Sequence, residues 1–310
     1  MNAASRVKNA PDGIDHPGSN RGFLLGLGAY TLWGVLPLYF KAIADVSAID
    51  IVTHRVLWSL PFLSLLILLG KGWPKVRTAL ADRHTLGVLA LTAALIGGNW
   101  LLYTHAVVSG HILAASFGYY LNPLANVLLG RFVLKEQLSR IQWTAVAIAG
   151  AGITILAAGA LGQLWISLTL CATFALYGLL RKVVRADGLT GLGIETALLF
   201  PFAFGLLAWR TSTGLPTFGL SRLDVGLLLL AGLVSTTPLL LFTAAARRLA
   251  YSTLGMLQFI APTLQFLIAV VLYGEPFTRA HAAAFIAIWT AIGLYVTELV
   301  RKPRLPQPPE

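Results

Sequence analysis

Ten stretches of about twenty apolar residues, separated by short polar connections, run through the chain at 22–42, 48–69, 85–105, 112–134, 141–159, 163–180, 189–209, 223–245, 252–273 and 280–300. A helix rises about 1.5 Å per residue, so about twenty such residues cross the roughly 30 Å hydrocarbon core of a bilayer. The pattern predicts an all-α membrane protein with ten transmembrane helices. Turn residues mark the connections, as in Lys71-Gly72-Trp73-Pro74 and Asp187-Gly188. Residues 1–21 and 301–310 fall outside the pattern and read as disordered tails, the second carrying Pro303, Pro306, Pro308 and Pro309. The first tail has no apolar core of the kind a cleaved signal peptide needs, so the first span is expected to be an uncleaved anchor.

Within this pattern a unit recurs 139 residues along the chain: Pro123, Glu136 and Arg140 return as Pro262, Glu275 and Arg279. Leu101-Leu102-Tyr103-Thr104 with Ala106 returns as Leu240-Leu241-Phe242-Thr243 with Ala245. Only eight of the 46 pairs between 95–140 and 234–279 are identical, but apolar bias explains Leu over Leu and not Pro, Glu and Arg at one spacing. Two five-helix repeats follow, 22–160 and 161–300. Each has an odd number of crossings, so the second enters the membrane with the opposite orientation. Inverted repeats of this kind are an architecture of secondary carriers, in which the halves exchange states to give alternating access.

Composition removes other classes. The chain is 57% hydrophobic and 11% charged with a mean hydropathy of +0.76, far from the roughly one-quarter charged residues of a soluble domain. The net charge of +11 does not indicate nucleic acid, because the basic residues sit in loops between apolar runs. With a cytoplasmic N-terminus, eighteen of the 23 Lys and Arg lie on the cytoplasmic side, four (Lys41, Arg210, Arg222 and Arg279) on the other, and Arg55 within the second span. That bias places both termini in the cytoplasm. Cys171 is the single cysteine, which excludes an intrachain disulfide and a cysteine metal cluster. No nucleotide-binding loop, metal-ligand cluster or nucleophile motif is visible, so neither an enzyme nor a cofactor is expected.

The chain resembles the RarD-type proteins of the EamA branch of the drug/metabolite transporter superfamily. The likeness extends from about Gly22 to Val300. It is carried by His54-Arg55-Val56-Leu57-Trp58-Ser59, Asn99-Trp100-Leu101-Leu102-Tyr103 and Ala115-Ser116-Phe117-Gly118-Tyr119-Tyr120-Leu121-Asn122-Pro123. Tyr177-Gly178-Leu179-Leu180-Arg181-Lys182, Ile194-Glu195-Thr196 and Leu257-Gln258-Phe259-Ile260-Ala261-Pro262 extend it through the second half. The resemblance implies ten helices in the cytoplasmic membrane of a bacterium and solute transport without ATP. Two positions depart: Ala114 stands where relatives often carry Glu, and His105 where they often carry Trp.

Charge inside a bilayer costs at least about 2.5–3.5 kcal/mol and marks a functional candidate. Arg55 and Glu195 are such residues. Arg55 suits a carboxylate or phosphate held in two hydrogen bonds. Glu195 suits a counter-ion, a proton site or the partner of a substrate amine, while a permanent ion pair between the two spans is the structural alternative. His54 is a further candidate ligand or relay. On the fourth span Ser116, Tyr119, Asn122 and Asn126 form one polar stripe, and adding 139 to Tyr119 and Asn126 gives Gln258 and Gln265 on the ninth. The two stripes read as walls of a cavity, or as hydrogen-bonding partners that join the helices. Asn99, Trp100 and Tyr103 on the third span add a group suited to an amphipathic organic solute. Pro123 and Pro262 read as hinges or packing kinks. Ser139 with Gln142, and Thr278, are expected caps of the fifth and tenth spans, which gives Glu136 and Glu275 terminal roles.

These features point to a carrier that exports a small organic metabolite or drug, using the bilayer as its setting and a proton or another coupling ion as an optional drive. The competing class is a membrane sensor or scaffold that binds a small molecule without moving it. A monomer or a homodimer satisfies the sequence equally.

Overall fold

A computed structural model describes residues 20–43, 45–108, 112–157, 164–218, 221–274 and 278–301, with the side chains at 107–108, 112–117, 156–157, 269, 273 and 300 set aside. The expected tails up to residue 19 and from 302, together with His16, His111 and Glu275, lie outside the described residues, as do the side chains of Ser116 and Ala114. Among the described residues the regular structure is helical. The helices are α1 (Asn20–Ala42), α2 (Ala48–Leu69), α3 (Trp73–Ala81), α4 (Arg83–Val108), α5 (Ile112–Phe132) and α6 (Arg140–Ala157). They continue with α7 (Leu164–Val183), α8 (Gly188–Ser212), α9 (Arg222–Ala246), α10 (Tyr251–Gln258), α11 (Ile260–Tyr273) and α12 (Arg279–Arg301).

Among the described residues eight helices are long and apolar enough to cross a membrane, with α10 and α11 counted together as one. The expected fourth and fifth spans are occupied by the helices α5 and α6. Beyond the expected spans there is a short helix, α3, started by Pro74 at its first turn. The outer surface is apolar, with Leu24, Leu65, Phe132, Phe202, Trp209, Val271 and Ile286 all exposed. Exposed apolar side chains of this size are what a bilayer covers.

Local chemistry sets the helix ends. Ser47 caps α2 by accepting from the Asp50 N–H, Asp187 caps α8 by accepting from Thr190, and Ser221 with Asp224 forms a reciprocal capping box on α9. The expected box on α6 is present: the Ser139 N–H donates to Gln142 at 2.8 Å and the Gln142 N–H to Ser139 at 3.2 Å. Thr278 makes the same exchange with His281 at the start of α12.

The two prolines of the repeat behave differently. Helix α5 runs unbroken through Pro123, whereas the ninth span breaks at Phe259, three residues before Pro262. A proline offers no N–H to the carbonyl four residues back and its ring crowds that carbonyl, so the break falls where Pro262 acts.

Small residues let helix backbones touch. A Cβ on Gly255 would lie 2.8 Å from the Pro123 carbonyl oxygen, and one on Gly232 only 2.2 Å from the Trp58 carbonyl carbon. Gly22 and Gly26 also pack closely, against Arg248 and Leu257, while Gly150 has ordinary space around it. Gly232→Ala is expected to force α2 and α9 apart and to destabilise the protein by about 1–3 kcal/mol. A lowered thermal unfolding midpoint in detergent, relative to Gly226→Ala with open space around it, checks this.

Candidate functional site

Arg55 projects from α2 into the middle of the helix bundle, where it is half-buried. Its Nε donates to the Ser235 hydroxyl of α9 at 2.7 Å, and its guanidinium carbon lies 4.5 Å from the centre of the Trp100 ring on α4. The Tyr39, Tyr103 and Tyr119 hydroxyls are near enough to interact with its charge. Among the described residues no carboxylate stands within 4 Å of it: the ion pairs are Lys75–Asp187, Arg181–Glu195 and Arg210–Asp50. Its two Nη groups make no hydrogen bond to the described protein, so the fork-shaped edge that suits a carboxylate remains open.

Aromatic rings form the surroundings. Tyr103 and Tyr119 stand 5.5 Å apart, Tyr119 meets Phe174 edge-on at 6.4 Å, and Phe174 contacts Trp33 and Phe242 at 5.9 and 5.6 Å. Asn99 holds this arrangement. Its amide donates to the Leu170 carbonyl and the Thr173 hydroxyl of α7, and its oxygen accepts from Tyr119 at 3.1 Å. The Asn99 side chain is thus spent on joining α4, α5 and α7. The Tyr103 hydroxyl is half-buried and free of protein partners among the described residues.

Glu195 does not reach Arg55. It is buried on α8, 3.6 Å from Nη1 of Arg181, and accepts from the Thr92 hydroxyl at 2.6 Å and the Tyr177 hydroxyl at 3.4 Å. Arg181 is fully buried and donates from Nη2 to the Asp187 and Gly188 carbonyls, both at 3.2 Å. Gly191 makes room for it, since a Cβ there would overlap Nη1. The sequence counted Arg181 among the loop cations; the structure puts it inside α7 as the partner of Glu195. Its signal was present in Gly191, which leaves a gap beside α7 that a long side chain fills. Beside Glu195 a cavity of about 20 Å³ is lined by Ser59, Trp100, Tyr177, Ser235 and Thr236, among others. That space takes a water molecule and is too small for an organic solute.

His54 points the other way. Its Nδ1 accepts from the Trp58 indole at 3.1 Å, its Nε2 donates to the Thr217 carbonyl at 2.8 Å, and its ring packs on Phe218. Both nitrogens are used, Nδ1 within α2 and Nε2 in tying α2 to the segment after α8.

The two polar stripes meet at one level. Asn126 of α5 donates to Gln258 of α10 at 2.8 Å. Their repeat counterparts are apart: Gln265 donates to the Trp33 carbonyl of α1, while Tyr119 is held by Asn99. Asn122 is fully buried, with neither amide atom hydrogen-bonded among the described residues. Glu136 has a terminal role of a kind the sequence did not suggest. Its carboxylate accepts from the Tyr251 and Ser252 backbone N–H groups and from the Ser252 hydroxyl at 2.6 Å, capping α10 of the other half of the chain.

Comparison with known proteins places this geometry in context. A family model described as "EamA-like transporter family" matches residues 20–158. The chain is 44% identical to an "Uncharacterized transporter" of Vibrio cholerae over 91% of its length and 93% of that protein. It is 41% identical to "Protein RarD" of Escherichia coli K12, covering 93% and 97% of the two chains. With the "Chloramphenicol-sensitive protein RarD" of Pseudomonas aeruginosa it shares 33% identity over 88% and 93%. One crystal structure superposes with a TM-score of 0.72 over 92% of this chain and all of its own at 17% identity, a likeness of fold.

Proposed function

The chain belongs to the EamA-like transporter family, a family of transporters and not of enzymes, and from that premise we propose that it is a secondary carrier exporting a small organic metabolite or drug across a bacterial cytoplasmic membrane. The observation that carries the reading is Arg55: a cation in the bundle interior, oriented by Ser235 and Trp100, with no described carboxylate and an open Nη edge. Leaving a charge in that condition is costly unless a ligand completes it.

The proposed mechanism is alternating access between two inverted five-helix halves, with both termini cytoplasmic. The packing supports it through a correspondence of helix pairs. Exchanging the halves turns α1–α9 into α7–α4, α2–α9 into α8–α4 and α5–α7 into α11–α1, all of which pack together. The pairs α2–α8, α5–α10 and α6–α12 map onto themselves and also pack. Two ion pairs follow the same rule. Asp50 near the start of α2 meets Arg210 at the end of α8, and Asp187 at the start of α8 meets Lys75 just beyond α2.

In this reading the state described is closed toward the cytoplasm. Asn126–Gln258, Glu136 on Ser252, and Lys182 on the Ala246 carbonyl at 2.8 Å all lie in that half. Toward the other side the members of the repeat-related pair are bonded elsewhere, Tyr119 to Asn99 and Gln265 to Trp33, and not to each other. Opening inward would break the first pair and form the second, at little net cost because the two arrangements are counterparts. Glu195, screened by Arg181, is the site through which a proton would couple.

Tracer flux in liposomes tests the proposal. Wild type is expected to accelerate exchange of its solute, and Arg55→Ala to reduce it to the rate of protein-free vesicles. Binding without flux by the wild type would assign the chain to the sensor class instead.

A further inference from the structure

We propose that the solute held at Arg55 is an organic monoanion with a planar, aromatic or conjugated body, and that zwitterions and cations are rejected. The inference rests on the transport reading and adds to it the charge of the cargo. Its first support is the distribution of acids. Asp50 is committed to Arg210 at 2.8 and 2.9 Å, Glu195 to Arg181, Asp187 to Lys75, and Glu136 to the start of α10. Asp224 closes its own capping box, and Asp82 accepts from His84 and Thr85 at the start of α4. The bundle interior around Arg55 is therefore electropositive with respect to the described residues. A ligand brings the missing negative charge, and an ammonium group on the same ligand would meet a like charge and no acid.

The second support is the fate of the aromatic faces. An aromatic cage can bind an ammonium group through its π faces. Here the Trp100 face is already covered by the Arg55 guanidinium at 4.5 Å. What remains beside it are the Tyr103 and Tyr119 rings, 5.5 Å apart, and the unpartnered Tyr103 hydroxyl. Rings so placed contact a flat apolar body well, and one hydroxyl adds a hydrogen bond without adding charge. The small cavity lined by Trp100 and Glu195 holds no room for such a body, so in this proposal the body lies on the Tyr103 side with its anionic group leading to Arg55.

Three probes share one phenyl ring and differ in charge: phenylacetate, phenylalanine and phenethylamine. Uptake of each into liposomes holding the full-length protein, above protein-free vesicles, is measured beside quenching of tryptophan fluorescence as a readout of binding. Phenylacetate is expected to move at least about tenfold faster than the other two, since opposed like charges cost several kcal/mol. That advantage should vanish in Arg55→Ala and in Arg55→Gln, the second variant keeping a donor for Ser235; size-exclusion elution checks that both fold. Faster movement of phenylalanine or phenethylamine would overturn the charge assignment and leave transport standing. Phenylacetate-specific quenching that depends on Arg55, without flux of any probe, would uphold the charge assignment and remove the transport reading. Neither binding nor flux of any of the three would overturn the inference.

Discussion

Tying Asn126 to Gln258 is expected to stop transport entirely. Cysteines at both positions, in a Cys171→Ala background, should react with a short bifunctional thiol reagent in the resting protein, because the native side chains meet at 2.8 Å. Flux should then fall to the background of empty vesicles and return when a cleavable linker is reduced. The counterpart pair, Tyr119→Cys with Gln265→Cys, should behave in the opposite manner. Both residues are bonded elsewhere in this state, Tyr119 to Asn99 and Gln265 to Trp33. Cross-linking should therefore be slow at rest, speed up during turnover, and trap the protein with its cytoplasmic side open. The prediction is strong because the proposed exchange of halves relates the two pairs. Continued turnover with Asn126 and Gln258 linked would remove the exchange of halves from the mechanism.

The second large effect concerns the buried ion pair. Arg181→Met leaves Glu195 buried with only the Thr92 and Tyr177 hydroxyls as partners. Removing one member of a buried pair typically costs about 3–5 kcal/mol, whereas replacing both can be nearly neutral. Arg181→Met alone should thus collapse the thermal midpoint, and Arg181→Met with Glu195→Gln should recover most of it. The pair is imperfect, at 3.6 Å with Nε and Nη1 of Arg181 lacking hydrogen bonds among the described residues. That imperfection favours a change of partner during the cycle over a fixed staple. In the double variant, flux should lose its dependence on pH; a dependence identical to wild type would exclude Glu195 as the coupling site.

Much of the helical frame was legible in the sequence. Apolar runs report helices faithfully where the solvent is lipid, because every backbone group must be satisfied within its own segment. Ser139 and Gln142 announced their cap through spacing alone, and Arg55 announced itself through the cost of charge in an apolar run. The break at Phe259 was foreshadowed by Pro262, though its absence at Pro123 was not, since the same residue type sits in both halves and only packing distinguishes them. Side-chain partners were less legible. Arg181 lies one turn from a helix end, where a cation can face water or bury itself, and only the adjoining Gly191 decides between the two. His54 and Asn99 carry chemistry suited to ligands, yet their hydrogen bonds are satisfied by Thr217, Trp58, Leu170 and Thr173. A polar residue in a membrane bundle has to be bonded to something, and spacing does not reveal whether protein or solute is the partner. Trp100 and Ser235, by contrast, gain meaning only through Arg55, which joins helices that are distant in sequence.

The most direct measurement compares small molecules released into the medium by cells producing the wild-type chain with those released by cells producing Arg55→Ala at equal membrane level. Export through the Arg55 site predicts a solute enriched outside the wild-type cells alone, and an anionic one. Identical release from both cells, with both proteins folded and present in the membrane, would contradict the assignment of Arg55 as the group that holds the cargo.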